Sequence, residues 1–230
     1  MTATGGKTGV LRDVNPIVDG VIDVGVIVGY PSERGRPAPL NLGPGPRLRT
    51  NSVLYGASTI GRGFTTGHNV VIREECEIGD DVSVWTNSVV DYGCRIGDRV
   101  KIHSNCYVAQ FTEIGDDAFL APGVSIANDL YPGSEQSAAV MRGPVIGAGA
   151  QIGVGVTILP YVVIGEGAMI GSGAVVTKDI PAGMVAVGNP AIVTKAVKEL
   201  TPIEDRIGDR HRPGERAMDE TDGATSERRV

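Results

Sequence analysis

The sequence predicts an all-β chain wound as a parallel β-helix, on three observations. First, stepping by six from Ile60 gives Thr66, Ile72, Ile78, Val84, Val90, Ile96, Ile102, Val108, Ile114, Leu120 and Ile126, aliphatic throughout except at Thr66, and the step runs back through Leu54, Leu48 and Leu42. Second, the fourth residue after each of these is small or β-branched, as at Val70, Cys76, Val82, Ser88 and Val100, so each hexad fills two inward positions. Third, a Leu/Ile-Gly pair recurs at every third hexad, at 42, 60, 78, 96 and 114, and again at 146 and 164. Three hexads therefore make one coil, and coils stacked roughly 4.8 Å apart bury their aliphatics against one another. An α-helix would need apolar residues spaced near 3.6 and would lose about 1 kcal/mol at each glycine in its interior.

The elements follow in order. Residues 1–41 do not keep the rhythm and are read as an N-terminal extension with one or two strands and a linking loop, since 31–46 is rich in Pro and Gly. The β-helix occupies 42–190 in about seven coils. Its third residue after each aliphatic is Asn51, Gly63, Asn69, Asp81, Asn87, Gly93, Asn105, Asp117, Gly123, Gly149, Gly155, Gly167 or Gly173, types that tolerate positive φ, so this slot predicts a left-handed turn at each corner. After Ile126 the next aliphatic is due at 132 but arrives at Ile146, which predicts an inserted loop over 129–143. Ile192, Val193, Ala196, Val197 and Leu200 share one helical face, predicting a capping helix over 191–207, and the charged segment 208–230 reads as disordered.

Composition narrows the function. The chain of 230 residues carries 33 Gly and only 4% aromatics, without a G-X-Y period, which suits a turn-dense repeat rather than collagen. A net charge of -6 with scattered basic residues speaks against nucleic acid, and the longest early apolar run, 24–29, is too short to span a bilayer. A cytoplasmic protein with a small-molecule partner is expected. Cys76, Cys94 and Cys106 all fall in the small inward slot, so they read as buried free thiols, and no metal is expected.

The hexads, together with the segments Ile170-Gly-Ser-Gly-Ala-Val-Val-Thr-Lys-Asp-Ile-Pro-Ala-Gly183 and Val187-Gly-Asn-Pro-Ala191, resemble the hexapeptide-repeat acyltransferases over about 42–191. The resemblance implies a left-handed helix, a homotrimer and acetyl-CoA as cosubstrate. Within that family, 96–102 and 114–132 are most similar to N-acetyltransferases acting on nucleotide-linked 3-amino sugars. These place an Asn at the position of Asn128, which implies a role in positioning the acceptor amine. The bland alternative is a loop-starting Asn bonded to its own backbone.

Further site residues follow from the same resemblance: Asp129, Tyr131, His68 and Trp85 toward the acceptor, and Arg142, Gly147, Gly165, Gly171, Ser172, Lys178, Gly188 and Pro190 toward the coenzyme. His103 sits in a slot usually held by Gly, Ala or an acid, with Trp85 three hexads before it and Ala121 three hexads after, on an exposed corner. It is either a surface residue or the general base that takes a proton as an amine attacks the thioester. With no Ser/Cys-His pair suggested, the expected chemistry is direct attack without an acyl-enzyme. Two departures stand out: Tyr131 occupies the place of a His found in maltose- and galactoside-type O-acetyltransferases, and Ile192 the place of an Arg. An O-acetyltransferase, a γ-type carbonic anhydrase and a non-catalytic scaffold remain the rivals; the second lacks its closely spaced His pair.

Overall fold

The computed structural model describes residues 10–11, 14–32, 34 and 38–202. The chain divides into two compact units, Met1–Lys198 and Glu199–Val230, and the first holds the solenoid. It is a left-handed parallel β-helix of about eight turns, one more than the hexads indicated. Short strands stack into three faces of nine, seven and ten strands among the described residues. The chain visits them in rotation: Val71–Ile72 on the first face, Glu77–Ile78 on the second, Ser83–Val84 on the third, then Val89–Val90 on the first again.

Register is set by the aliphatic step. Ile78 pairs with Ile96, Val84 with Ile102 and Val90 with Val108, each partner three hexads on, and these side chains are almost fully buried. Cys76, Cys94 and Cys106 line the same core as free thiols. Every one of the thirteen corner residues expected to be left-handed has positive φ, Asn87 at 61° and Gly63 at 67° among them. The asparagines also bond along the axis, Asn69 Nδ2 donating to Asn87 Oδ1 at 3.0 Å.

The coils begin earlier than Leu42. Val21–Ile22 pairs with Arg47 and Leu48, and Ile27 and Val28 pair with Val53 and Leu54. These partners lie farther apart than three hexads, because an eight-residue insertion between Val28 and Leu42 hid the rhythm; the coil before it, in which Val10 pairs with Ile27, lacks that insertion. A second insertion lies where the hexads broke: Ser125 pairs with Thr157 and Glu113 with Val145, so the coil resumes in register beyond the loop. That loop contains one short helix, Ser137–Val140.

The C-terminal helix expected over 191–207 is absent from its described part. Ile192–Ala196 is instead a strand that pairs antiparallel with Met184–Val187, followed by a 3-10 turn at Val197–Glu199. Its apolar spacing fits either structure. The β-branched run Ile192-Val193-Thr194 and an open strand edge to pair with decide for the strand. Residues 203–207 of the expected helix and the segment 208–230 lie outside the described residues.

Candidate active site

Two of the three corners carry most of the expected site residues. The corner from the third face to the first holds His103, with Trp85 one coil before it. Their ring centroids are 3.8 Å apart at 66°, and Phe119 lies 6.1 Å from the imidazole. Nδ1 of His103 is buried and has no hydrogen-bond partner among the described residues. His68 stands exposed on this corner, and its backbone N–H donates to Thr86 Oγ1 at 3.3 Å. Beyond His103 the same column holds the small residues Ala121, Gly153 and Gly171, with Pro122, the exposed Val154 and Ser172 in the slot beside them. At that end the Gly188 carbonyl accepts from Val175 N–H at 3.0 Å, and Pro190 follows in the turn between the last two strands.

The corner from the first face to the second carries Asn128, and both insertions leave the solenoid here. Its column reads Arg73-Glu74, Asp91-Tyr92, Ala109-Gln110 and Ala127-Asn128, one pair per coil. Arg73 grips Glu74 bidentately at 2.8 and 2.9 Å and lies 3.8 Å from Asp91. The Glu74 side chain is 0% exposed and that of Asp91 9%. Asp91 accepts from Tyr107 OH at 2.8 Å, from Tyr92 N–H at 2.8 Å and from the Gln110 amide. Gln110 in turn accepts from Asn128 Nδ2, which also lies 3.2 Å from the Met141 sulfur.

The insertions bracket this chain of groups. From the first, Arg34 lies over the Tyr92 ring at 4.1 Å and donates to its hydroxyl at 3.1 Å. From the second, Arg142 N–H donates to the Asn128 carbonyl at 2.9 Å, and Tyr161 holds the Val140 carbonyl. Asp129 is spent on the loop itself, accepting from Tyr131 N–H at 2.9 Å and from Ser137, while the Tyr131 side chain is 75% exposed.

Electrostatics mark the same corner. Burial by itself would push the Glu74 carboxyl up, but hydrogen bonds and charge from Arg73 hold it below the ordinary value. Burial, then the hydrogen bond to ionised Asp91, raise the Tyr107 phenol to about 12. Backbone strain is found there too, as it is at Arg99, φ 57°, on the corner from the second face to the third. Ala57, Glu75, Phe111 and Tyr161 all have positive φ, between 58° and 64°, on this one corner. Such conformations cost about 1–2 kcal/mol in side-chain-bearing residues, and strain of this kind concentrates at functional sites.

The expected site residues thus divide. His68, Trp85, His103, Gly171 and Ser172 share one corner, and Asn128 and Lys178 another. Gly147 and Gly165 lie on the third, where Gly147 lines a shallow groove of about 750 Å³ with Glu77, Arg95 and Glu113. One chain does not bring His103 and Asn128 together. Arg73, Glu74, Asp91 and Gln110 escaped the sequence reading; bulky residues fill the left-handed slot of their corner at 75, 111 and 161, but Arg99 fills it on another corner too. Among the described residues no group of three or more His, Cys, Asp or Glu side chains is arranged to hold a metal ion, and no helix is long and apolar enough to cross a membrane.

Comparison with known proteins decides the family. The family model described as bacterial transferase hexapeptide (six repeats) matches residues 57–91, 93–128 and 143–178, both sides of the inserted loop. The chain belongs to the bacterial transferase hexapeptide family. As a hexapeptide transferase it is an acyl-transferring enzyme. Among solved structures it is similar to a candidate acetyltransferase of Bacillus cereus, at 27% identity over 65% of this chain and 81% of that one, with a TM-score of 0.50. It also shares its fold with a UDP-N-acetylglucosamine acyltransferase from Campylobacter jejuni, at 18% identity over 86% and 79% of the two chains, with a TM-score of 0.64. Among curated proteins none matches the hexapeptide transferase sequence.

Proposed function

We propose that this hexapeptide transferase moves an acetyl group from acetyl-CoA to the amino group of a nucleotide-linked amino sugar. The observation that carries the reading is the histidine corner: an imidazole at the head of a column of small residues, Ala121, Gly153 and Gly171, along which we place the pantetheine arm.

In the step itself the acceptor nitrogen attacks the thioester carbon, its proton passes to His103, and the carbon–sulfur bond breaks to release the coenzyme thiolate, which takes that proton. Backbone N–H groups of the coils would hold the carbonyl oxygen as charge builds there. A homotrimer would set the loop corner of one protomer, with Asn128, beside the histidine corner of the next. The inserted loop is then the rim over the acceptor.

The test is a panel of nucleotide-linked amino sugars and their hydroxyl counterparts, each incubated with acetyl-CoA while free thiol is followed. Thiol release with an amino sugar and an amide product supports the reading; an ester product moves it to O-acetylation. Full activity in both His103→Ala and Asn128→Ala would reject the site.

A further inference from the structure

The polarity of the hydrogen bonds on the loop corner is not arbitrary. An ionised carboxylate only accepts, so Asp91, which already receives Tyr92 N–H and Tyr107 OH, must also receive an N–H from Gln110. The amide of Gln110 is thereby turned with its Nε2 toward Asp91 and its Oε1 toward Asn128. Against that oxygen Asn128 must present its own Nδ2, as it does. The carbonyl Oδ1 of Asn128 is what remains, and it accepts no hydrogen bond among the described residues. Each amide by itself could sit either way round with little difference in shape. One buried charge two coils from Asn128 decides both.

We propose that Asp91 and Gln110 are positioning residues: they form a polarity relay that locks Asn128 with its carbonyl outward, so that the acceptor is recognised through a hydrogen it donates. The proposal rests on the reading of Asn128 as the residue facing the acceptor. It restricts that acceptor to groups able to donate, a neutral amine or a hydroxyl, and it disfavours groups that only accept at the reacting position. The relay is held at its far end by Arg73, which also secures Glu74, and at its near end by Met141 of the inserted loop, so loop and relay are ordered together.

A neutron structure of the perdeuterated full chain separates amide nitrogen from oxygen by its deuterons and needs no substrate. Deuterons of Asn128 directed at Gln110, and those of Gln110 at Asp91, are expected; the reverse orientation at either residue overturns the relay. Kinetics add a charge swap, using acetyl-CoA and the panel acceptor with the highest kcat/KM. Asp91→Asn frees both amides to turn and should raise acceptor KM about ten-fold, with acetyl-CoA KM changed less than about two-fold. Asn128→Asp alone sets a carboxylate against the Gln110 oxygen and should lose at least as much.

The double variant Asp91→Asn/Asn128→Asp reverses the relay. The amide introduced at position 91 then donates to Gln110, Gln110 donates to the carboxylate introduced at position 128, and the acceptor still meets an accepting oxygen. Recovery to within about three-fold of the wild-type acceptor KM is expected. Losses that simply multiply in the double variant mean that Asp91 is structural only, and they overturn the proposal. If no panel member reacts with the wild type, the proposed function fails, while the neutron result still decides the relay.

Discussion

Trp85 and His103 meet edge to face one coil apart, ring centroids 3.8 Å from each other, and the imidazole Nδ1 is buried with no hydrogen-bond partner among the described residues. That nitrogen is shut away, so in the proposed mechanism the proton would pass to Nε2 on the other side of the ring. His103→Asn should therefore lower kcat by about 10² to 10⁴ with a nearly unchanged melting temperature. Steady-state rates with acetyl-CoA, beside thermal unfolding of the same samples, check this. A kcat within about two-fold of wild type would make His103 a surface residue.

Glu74 and Arg73 form an ion pair whose carboxylate is wholly out of solvent. Glu74→Gln removes the bidentate partner of a guanidinium that still has Asp91 3.8 Å away, and should destabilise the fold by about 2 kcal/mol, measured by urea unfolding. The pair also predicts an acid limb. Because the folded-state pKa of Glu74 lies below the ordinary 4.5, its stabilisation is present above that value and is lost as pH falls through the folded-state pKa. Glu74→Gln should flatten the dependence of stability on pH in this acidic range.

Tyr107 supplies the opposite sign. Its phenol is raised to about 12, so the stabilisation from its bond to Asp91 is present below the ordinary value of 10 and fades as pH rises through about 12. Ultraviolet titration of the wild type should show one late-ionising tyrosine that is missing in Tyr107→Phe. A spectrum in which Tyr107→Phe removes an early-ionising phenol would contradict the burial of this contact.

Asn87 holds a left-handed corner at φ 61° and bonds to Asn69 and Asn105 along the axis. Asn87→Ala keeps the strain and loses the ladder, so a loss of about 1–2 kcal/mol is expected, while Asn87→Gly should be milder because glycine adopts this conformation freely. Chemical denaturation of the two variants orders them.

Much of this was legible in the chain. The six-residue step reports directly which side chains enter the core, because one face is buried and a slip of one residue would expose it. The corner slots at Asn51, Asn69, Asn87 and Asn105 are read equally well, since steric limits on φ belong to the residue itself. The C-terminal segment was misjudged for the reverse reason: Ile192, Val193, Ala196 and Val197 satisfy a helical spacing, but the open edge of Met184–Val187 lies in space, not in sequence. The early coil was missed because an insertion broke a count that depends on unbroken steps.

By itself the sequence determined the coil, its register, its left-handed turns and the place of the long loop, all of which follow from local sterics and a fixed repeat. Tertiary structure alone decided which corner each polar residue occupies relative to the others. Winding places Asp91, Gln110 and Asn128 in one column although successive members lie a whole coil apart, and it parts His103 from Asn128 although they are nearer in sequence than Asp91 is to Asn128. Hydrogen-bond polarity passes between coils, not along the chain, and so the orientation of one amide rests on a carboxylate two turns away.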